Sequence, residues 1–380
     1  MLALLVVPRA APGPVATSPT PSATRTSAAS ASPTPPSATA TVAATGTGDP
    51  LAAGYGYIVI GGGGLAVVDE SGKTIQQHAC GVPSRGCGQQ LVAVSPDGRR
   101  VAFWRAAQGS RWEVATFDAA MPATVRGVAT LPEGMEGQAV LWAADSRGLL
   151  FTAQTEGYGG IRGGAGKATI SAIDVTTAAP AGDVMPARTD GFFYVPVAWD
   201  RQRNVVAAGL TGEGGFLVEY AASVGGRYSA SKPPGEMGAF ALAASPDATR
   251  VLSFDRSANM WRIWPVDDIS KQVTVSPGPN AGGNTGARWR TASDVAWTSG
   301  PELGVFVPQT NASRTVYTAS SGNVRLVALR PDGTGALVSS GGQINVSVAL
   351  IVVDLGTGAV TAHPAMDVAQ VVVPRGVLLR

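Results

Sequence analysis

The stretch Leu91-Val-Ala-Val-Ser-Pro-Asp-Gly-Arg-Arg-Val-Ala-Phe103 decides the fold, because it predicts a strand, a tight turn and a second strand. Its two ends are apolar and rich in residues that favour strands. Pro96 sets the backbone angle of the first central turn residue, Asp97 can cap the turn, and Gly98 accepts a positive φ angle. The stretch therefore predicts an antiparallel hairpin.

The same pattern returns five times along the chain, which predicts a repeating unit. Positions equivalent to Ser95 are Ala143, Asp200, Ser245, Thr298 and Arg330, at spacings of 48, 57, 45, 53 and 32 residues. Repeats of about 40–50 residues with four strands each are typical of a β-propeller. The last spacing is short, which predicts a blade with a minimal or degenerate outer strand.

Apolar or alternating segments follow the hairpins and predict the third strands, at 111–117, 167–175, 215–220, 260–266, 314–318 and 346–354. The strands within 57–77 have no innermost strand before them, and we expect Val368 to Val373 to complete that blade. Innermost strands near residues 94, 142, 199, 244, 297, 329 and 371 predict seven blades, with six or eight as alternatives. The fold class is all-β, residues 54–380 form the propeller, and a closed ring without free edges predicts a monomer.

Residues 1–53 have a different composition, dominated by Ala, Pro, Ser and Thr without apolar periodicity. Such a segment cannot build a core, so we expect a disordered stalk. Leu2 to Val7 is apolar but shorter than the roughly 20 residues of a membrane span. We interpret it as the end of an anchor or signal helix, so that Met1 lies inside a longer start and the stalk tethers the propeller to a membrane. A plain disordered terminus is the alternative.

The net charge and the two cysteines bear on which classes of function the chain can have. The net charge is +2 and no basic run interleaved with aromatic residues occurs, so nucleic-acid binding is not predicted. The two cysteines, Cys80 and Cys87, enclose a short segment. We expect a local disulfide between them, with two free thiols or a metal site as the alternatives. A disulfide would indicate an oxidising compartment.

Three turns carry a family resemblance. Ser95-Pro-Asp-Gly98, Ser245-Pro-Asp247 and Arg330-Pro-Asp-Gly333 resemble the repeat of the TolB-like and WD-repeat-like propellers, and Phe254 to Trp261 is similar to the second-to-third-strand hairpin of TolB-like proteins. The resemblance implies a propeller over about residues 55–375. It implies no single function, because the family includes envelope proteins, peptidase accessory domains and binding modules.

Two glycine-rich stretches imitate phosphate-binding motifs. Gly61, Gly63 and Ala66 fit the dinucleotide fingerprint, but strand-forming residues follow where that motif requires a helix. The segment Gly157 to Lys167 has Ile161 in place of the first glycine of a phosphate loop, and Ala168 replaces its hydroxyl residue. It predicts a long hairpin loop that could contribute to binding. No cofactor and no metal are predicted.

Two sets of side chains are candidates for a ligand face. Trp142, Trp199 and Trp297 share a register near the ends of predicted innermost strands, where they either pack between blades or form an aromatic collar for a ligand. The carboxylates of three aspartates could converge at the channel mouth, namely Asp200, Asp255 and Asp294.

The chain has two histidines and no recognisable catalytic constellation, so no catalytic residue is assigned. We expect a non-catalytic, extracytoplasmic binding scaffold, in the cell envelope or secreted, that presents loops on one face to a protein or glycan. The alternatives are a lyase or hydrolase with carboxylates at the channel mouth, and the extracellular sensor domain of a membrane regulator.

Overall fold

The computed structural model describes residues 55–61, 64–69, 74–81, 87, 91–107, 111–118, 121–158, 166–177, 179–212, 215–238, 242–255, 257–275, 286–330, 332–340 and 348–366. The chain divides into two compact units, Met1–Thr47 and Gly48–Arg380, and the described residues all belong to the second. The predicted stalk over 1–53 and the predicted C-terminal strand Val368 to Val373 lie outside the described residues, so both stay predictions.

The described strands form seven antiparallel sheets, and within each sheet the strands lie in sequence order. Sheet 1 has three strands and the other six have four. First strands of consecutive sheets, from sheet 2 to sheet 7, contact one another, so the sheets are arranged around an axis with their first strands innermost. The all-β propeller predicted from the repeated hairpin is confirmed.

The strand bounds are as follows. Sheet 1 contains β1 (Tyr55–Gly61), β2 (Gly64–Asp69) and β3 (Thr74–Ala79); sheet 2 contains β4 (Val92–Val94), β5 (Arg100–Ala106), β6 (Trp112–Asp118) and β7 (Val125–Thr130); sheet 3 contains β8 (Met135–Trp142), β9 (Gly148–Thr155), β10 (Ala168–Asp174) and β11 (Ala179–Asp183); sheet 4 contains β12 (Phe193–Asp200), β13 (Val205–Thr211), β14 (Leu217–Val224) and β15 (Arg227–Ser231). Sheet 5 contains β16 (Ala243–Ala244), β17 (Arg250–Asp255), β18 (Met260–Pro265) and β19 (Val273–Val275); sheet 6 contains β20 (Gly286–Trp289), β21 (Val295–Ser299), β22 (Glu302–Val307) and β23 (Ala312–Thr318); sheet 7 contains β24 (Val324–Leu329), β25 (Gly335–Ser340), β26 (Val348–Asp354) and β27 (Val360–Met366). One 3₁₀ turn, Ile269–Lys271, lies between β18 and β19. No helix among the described residues is long and apolar enough to cross a membrane.

Inner strands are buried on both faces, and this explains their continuous apolar sequences. All seven residues of β13 and seven of the eight in β9 are buried. A strand packed on both faces has no solvent side that would need polar residues at alternate positions. The outermost strand β15, by contrast, is mostly exposed. Apolar residues therefore concentrate near the axis and between the sheets.

The two ends of the sheets differ. We call the end with the connections from first to second and from third to fourth strands the turn face, and the other end the loop face. β3 leads into the first strand of sheet 2 as fourth strands do elsewhere, so it also counts as a fourth strand. Connections on the loop face reach 12 residues, as between β9 and β10, whereas none between described strands on the turn face exceeds seven.

Sheet 6 differs from the prediction. The hairpin aligned at Thr298 joins β21 and β22, which are the second and third strands of that sheet, and 312–318 is its fourth strand rather than its third. The first hairpin instead joins β20 to β21, where the Arg290 amide donates to the Asp294 carbonyl. With Arg290 as the equivalent position, the last two spacings become 45 and 40 residues, so the short repeat disappears.

Two local predictions are confirmed at the junction of the first two sheets. Gly61 and Gly64 pair across the β1–β2 hairpin, so a strand and not a helix follows the glycines. Cys80 and Cys87 form a disulfide with a Cα–Cα distance of 4.9 Å. The Gly81 amide then donates to the Trp104 carbonyl of sheet 2 at 2.8 Å, which anchors the disulfide segment to that sheet.

His78 connects the same two sheets. Its ring centroid lies 4.8 Å from that of Phe117 and 5.7 Å from that of Phe103, and its Nε2 atom is buried without a hydrogen-bond partner. Burial lowers the pKa of His78, a hydrogen bond to the Pro122 carbonyl opposes this, and the positive charge of Arg105 adds to the lowering. The neutral imidazole is thus the form that the fold favours.

Acidification is expected to weaken this junction. Because the pKa of His78 is lower in the folded chain than the ordinary 6.5, the unfolded chain binds more protons as the pH falls below 6.5, and the contribution present at neutral pH is lost. His78→Phe keeps a ring against Phe117 without a titrating nitrogen, so its melting temperature should fall less than that of the native chain between pH 7 and pH 5. Gln77→Ala, which changes an exposed side chain on the same strand, is the control and should follow the native profile; equal slopes for all three would contradict the expectation.

Sheet 1 tests the predicted closure of the ring. If residues 367–380 supply its innermost strand, a chain ending at Met366 exposes the edge of β1 and should melt lower by about 10 °C, as for the loss of several kcal/mol. A chain lacking residues 1–53 is the control and should melt as the full chain does. Thermal unfolding followed by circular dichroism measures both, and an unchanged midpoint after C-terminal truncation would refute the closure.

Candidate functional site

Tryptophans at the ends of first strands join neighbouring sheets. The indole N–H of Trp142 donates to the Ala93 carbonyl at 3.1 Å, and that of Trp289 donates to the Ala243 carbonyl at 2.9 Å. Each acceptor lies on or next to the first strand of the preceding sheet. Trp289, which the sequence alignment passed over, is therefore the residue of sheet 6 that matches Trp142.

The predicted shared register of the three tryptophans is wrong for Trp297, which lies on the second strand of sheet 6. Trp199 does lie on a first strand, one residue before its end. It packs so closely on Gly148 of the preceding sheet that a Cβ atom there would lie 2.4 Å from the ring. Trp142, Trp199 and Trp297 are each at most 7% exposed. These contacts fit packing between strands and sheets, and buried rings cannot form the aromatic collar.

The predicted convergence of the three carboxylates is also wrong. Asp200 and Asp294 lie in first hairpins on the turn face, where they form ion pairs with Arg203 and Arg290. Asp255 ends β17 and lies on the loop face, at the opposite end of the sheets. Hydrogen bonds and the adjacent arginines outweigh burial and lower the pKa of all three carboxyl groups. Each carboxylate thus stabilises its own hairpin.

Asp255 has the most complete set of partners. It is fully buried, and one of its oxygens accepts from the Ser257 and Ala258 amides while the other accepts from Arg262 Nε at 2.7 Å. The main chain at Gly235 packs directly against this carboxylate, so a Cβ atom at that position would lie 2.5 Å from Asp255 Oδ2. Because Gly235 also has a φ angle of +73°, glycine is required there on two counts. Asp255 therefore fixes the second hairpin of sheet 5 beneath the crossing segment.

The first hairpins of neighbouring sheets are tied to one another on the turn face. The Asp97 amide donates to Ser146 Oγ at 3.1 Å, which joins sheets 2 and 3. Arg201 forms an ion pair with Asp145 and so joins sheets 3 and 4. The Arg203 side chain donates to the Ala248 carbonyl and so joins sheets 4 and 5. The Arg290 side chain donates to the Gly333 carbonyl and so joins sheets 6 and 7. Four of the five junctions between consecutive sheets from sheet 2 to sheet 7 are therefore tied on the turn face.

Every first hairpin of sheets 2 to 7 carries at least one arginine, which is visible only once the hairpins are correctly aligned. Three of these arginines pair with aspartates, as described for Arg201, Arg203 and Arg290. The others form no ion pair with any described residue, and they are Arg99, Arg100, Arg147, Arg250 and Arg330. Because the sequence contains no basic run, these arginines were not among the predicted site residues.

A second polar cluster, also missed from the sequence, lies on the loop face of sheet 3. Gln154 Nε2 donates to Glu136 Oε1 at 2.6 Å and to the Tyr158 carbonyl at 2.9 Å, and Gln138 Nε2 donates to the same Glu136 oxygen at 3.2 Å. The Tyr158 hydroxyl donates to the Phe192 carbonyl and accepts from the Gly191 amide. The cluster thus holds the start of the predicted long loop against the connection to sheet 4. Within the described ranges, no three His, Cys, Asp or Glu side chains are grouped as a metal site would require.

No protein-family description and no curated relative matches the chain. Among solved structures it is similar to oligogalacturonate lyase from Vibrio parahaemolyticus, with 11% identity, a TM-score of 0.51 and coverage of 77% of this chain and 83% of that one. It is also similar to the β-propeller domain of the Trilobed protease from Pyrococcus furiosus (13% identity, TM-score 0.49, coverage 79% and 88%) and to TolB from Acinetobacter baumannii (14%, 0.41, 83% and 65%). At these identities the likeness shows the fold alone.

Replacing Asp255 tests its structural role. Asp255→Asn leaves the Arg262 guanidinium without its buried counter-charge, so we expect a loss of about 3 kcal/mol in the free energy of unfolding. Asp97→Asn changes an exposed turn aspartate in the same way and should cost about 1 kcal/mol or less. Urea denaturation of both variants measures the difference, and equal losses would show that the buried pair does not stabilise the hairpin.

Proposed function

We propose that the chain is a non-catalytic binding scaffold, which holds a protein or glycan partner on one face of its propeller outside the cytoplasm. The proposal depends on the first hairpins, which side-chain bonds from Asp97, Arg201, Arg203 and Arg290 tie together at four junctions between neighbouring sheets. A surface that is already ordered loses little conformational entropy on binding, which favours recognition by a fixed face.

Two further observations support the proposal. The carboxylates on which an enzyme at the channel mouth would depend, Asp200, Asp255 and Asp294, lie at opposite ends of the sheets and are held by arginines of their own hairpins. The disulfide of Cys80 and Cys87 fits an oxidising compartment such as the cell envelope or the exterior, where such bonds persist.

Equilibrium binding of the full chain tests this function. The purified chain is exposed to an array of envelope glycans and to solubilised envelope proteins of its source cells, and we expect saturable binding to one class with a dissociation constant on the order of 1 μM or tighter. Heat-unfolded chain is the control and should not bind. Cleavage of a bound glycan, or a stoichiometric metal in the purified protein together with turnover, would favour the enzyme; no binding to either class would refute the scaffold.

A further inference from the structure

The junction between sheets 5 and 6 differs from the four tied junctions of the turn face. Trp289 joins the first strands of these two sheets, but among the described residues no bond runs directly from one first hairpin to the other. Arg290 of sheet 6 donates to the Gly333 carbonyl on its other side, in sheet 7. A tie between the first hairpins of sheets 5 and 6 would therefore have to come from another part of the turn face.

The side chain of Gln309 lies between these two hairpins. It belongs to the connection between β22 and β23, on the turn face of sheet 6. Its amide group lies 2.9 Å from the Ser293 carbonyl oxygen and 2.7 Å from Arg250 Nη1. Because a carbonyl only accepts and a guanidinium only donates, the amide nitrogen faces Ser293 of sheet 6 and the amide oxygen faces Arg250 of sheet 5. One side chain thus bonds to both first hairpins.

The hairpin that carries Gln309 is itself held in place. Arg314, on β23, donates to the Leu355 carbonyl of sheet 7 at 2.6 Å. Gly358 of sheet 7 packs so closely on the same strand that a Cβ atom there would lie 2.7 Å from the Val316 carbonyl oxygen. The outer hairpin of sheet 6 and the strand that follows it therefore contact sheet 5 on one side and sheet 7 on the other.

We propose that Gln309 couples sheets 5 and 6 on the turn face, so that side-chain bonds connect the first hairpins of all consecutive sheets from sheet 2 to sheet 7. The outer hairpin of sheet 6 supplies the bond that first hairpins supply at the other junctions. Because Gln309 shares one amide group between the two hairpins, its loss frees both. This conformational coupling goes beyond the proposed binding function and does not depend on it.

Hydrogen exchange of single amides, followed by NMR on the full chain, tests the coupling. The Ser245 amide donates to the Arg250 carbonyl and the Arg290 amide to the Asp294 carbonyl, so the two report the opening of the first hairpins of sheets 5 and 6. Q309L removes both bonds at nearly the same side-chain size. We expect both amides to exchange about fivefold faster, which corresponds to about 1 kcal/mol.

Three comparisons show whether the effect belongs to this junction. The Ala143 amide closes the first hairpin of sheet 3 and should exchange at its native rate in Q309L. The matched variant Q202L, which changes an exposed glutamine in the first hairpin of sheet 4, should leave all three amides unchanged. In an R250M chain the bond to sheet 5 is already lost, so adding Q309L should accelerate the exchange of Ser245 no further.

Unchanged exchange at Ser245 and Arg290 in Q309L would overturn the coupling. An equal acceleration at Ala143 would also overturn it, because that result indicates general destabilisation. Effects of R250M and Q309L that multiply at Ser245 would show that Gln309 does not act through Arg250, and would overturn it as well.

Discussion

The contact between neighbouring sheets is the interaction on which the rest of the structure depends. A single sheet of this chain has apolar residues on both faces and cannot bury them alone. Large aromatic side chains fill the space between sheets, and three of them donate to main-chain carbonyls there: Trp104 to Ala139, Trp142 to Ala93 and Tyr220 to Val266. Each bond satisfies a buried donor and fixes how one sheet is placed on the next.

This constraint explains why the polar residues that attract attention in the sequence are structural. Once neighbouring sheets are packed, the hairpins at their ends lie side by side and must satisfy their own main-chain groups. Asp200, Asp255 and Asp294 do so, each with an arginine beside it. Arginines such as Arg99 and Arg147 and aspartates such as Asp97 and Asp247 are exposed on the turn face.

The repeated hairpin predicted the fold class, the number of sheets and most third strands correctly, because strand and turn preferences are local. It failed at sheet 6 for a local reason as well. Val295-Ala-Trp297 imitates the end of a first strand, whereas the true first hairpin, from Trp289 to Val295, lacks the Pro-Asp-Gly turn. The candidate site was predicted less well than the fold. Two of the six candidate residues lie elsewhere than expected, Trp297 on a second strand and Asp255 on the loop face. The arginines without an ion pair were not predicted.

The strands, the tight turns, the repeat and the residues that must be buried follow from periodicity and turn chemistry within about a dozen neighbouring residues, so the amino-acid pattern predicts them. The packing of the sheets, by contrast, sets which end each polar residue occupies, which arginines find a carboxylate and which apolar residues share a face. Those outcomes depend on contacts between residues about 30 to 60 positions apart, as between Trp104 and Ala139 or Arg201 and Asp145. A local sequence pattern does not show which residues of neighbouring sheets come into contact.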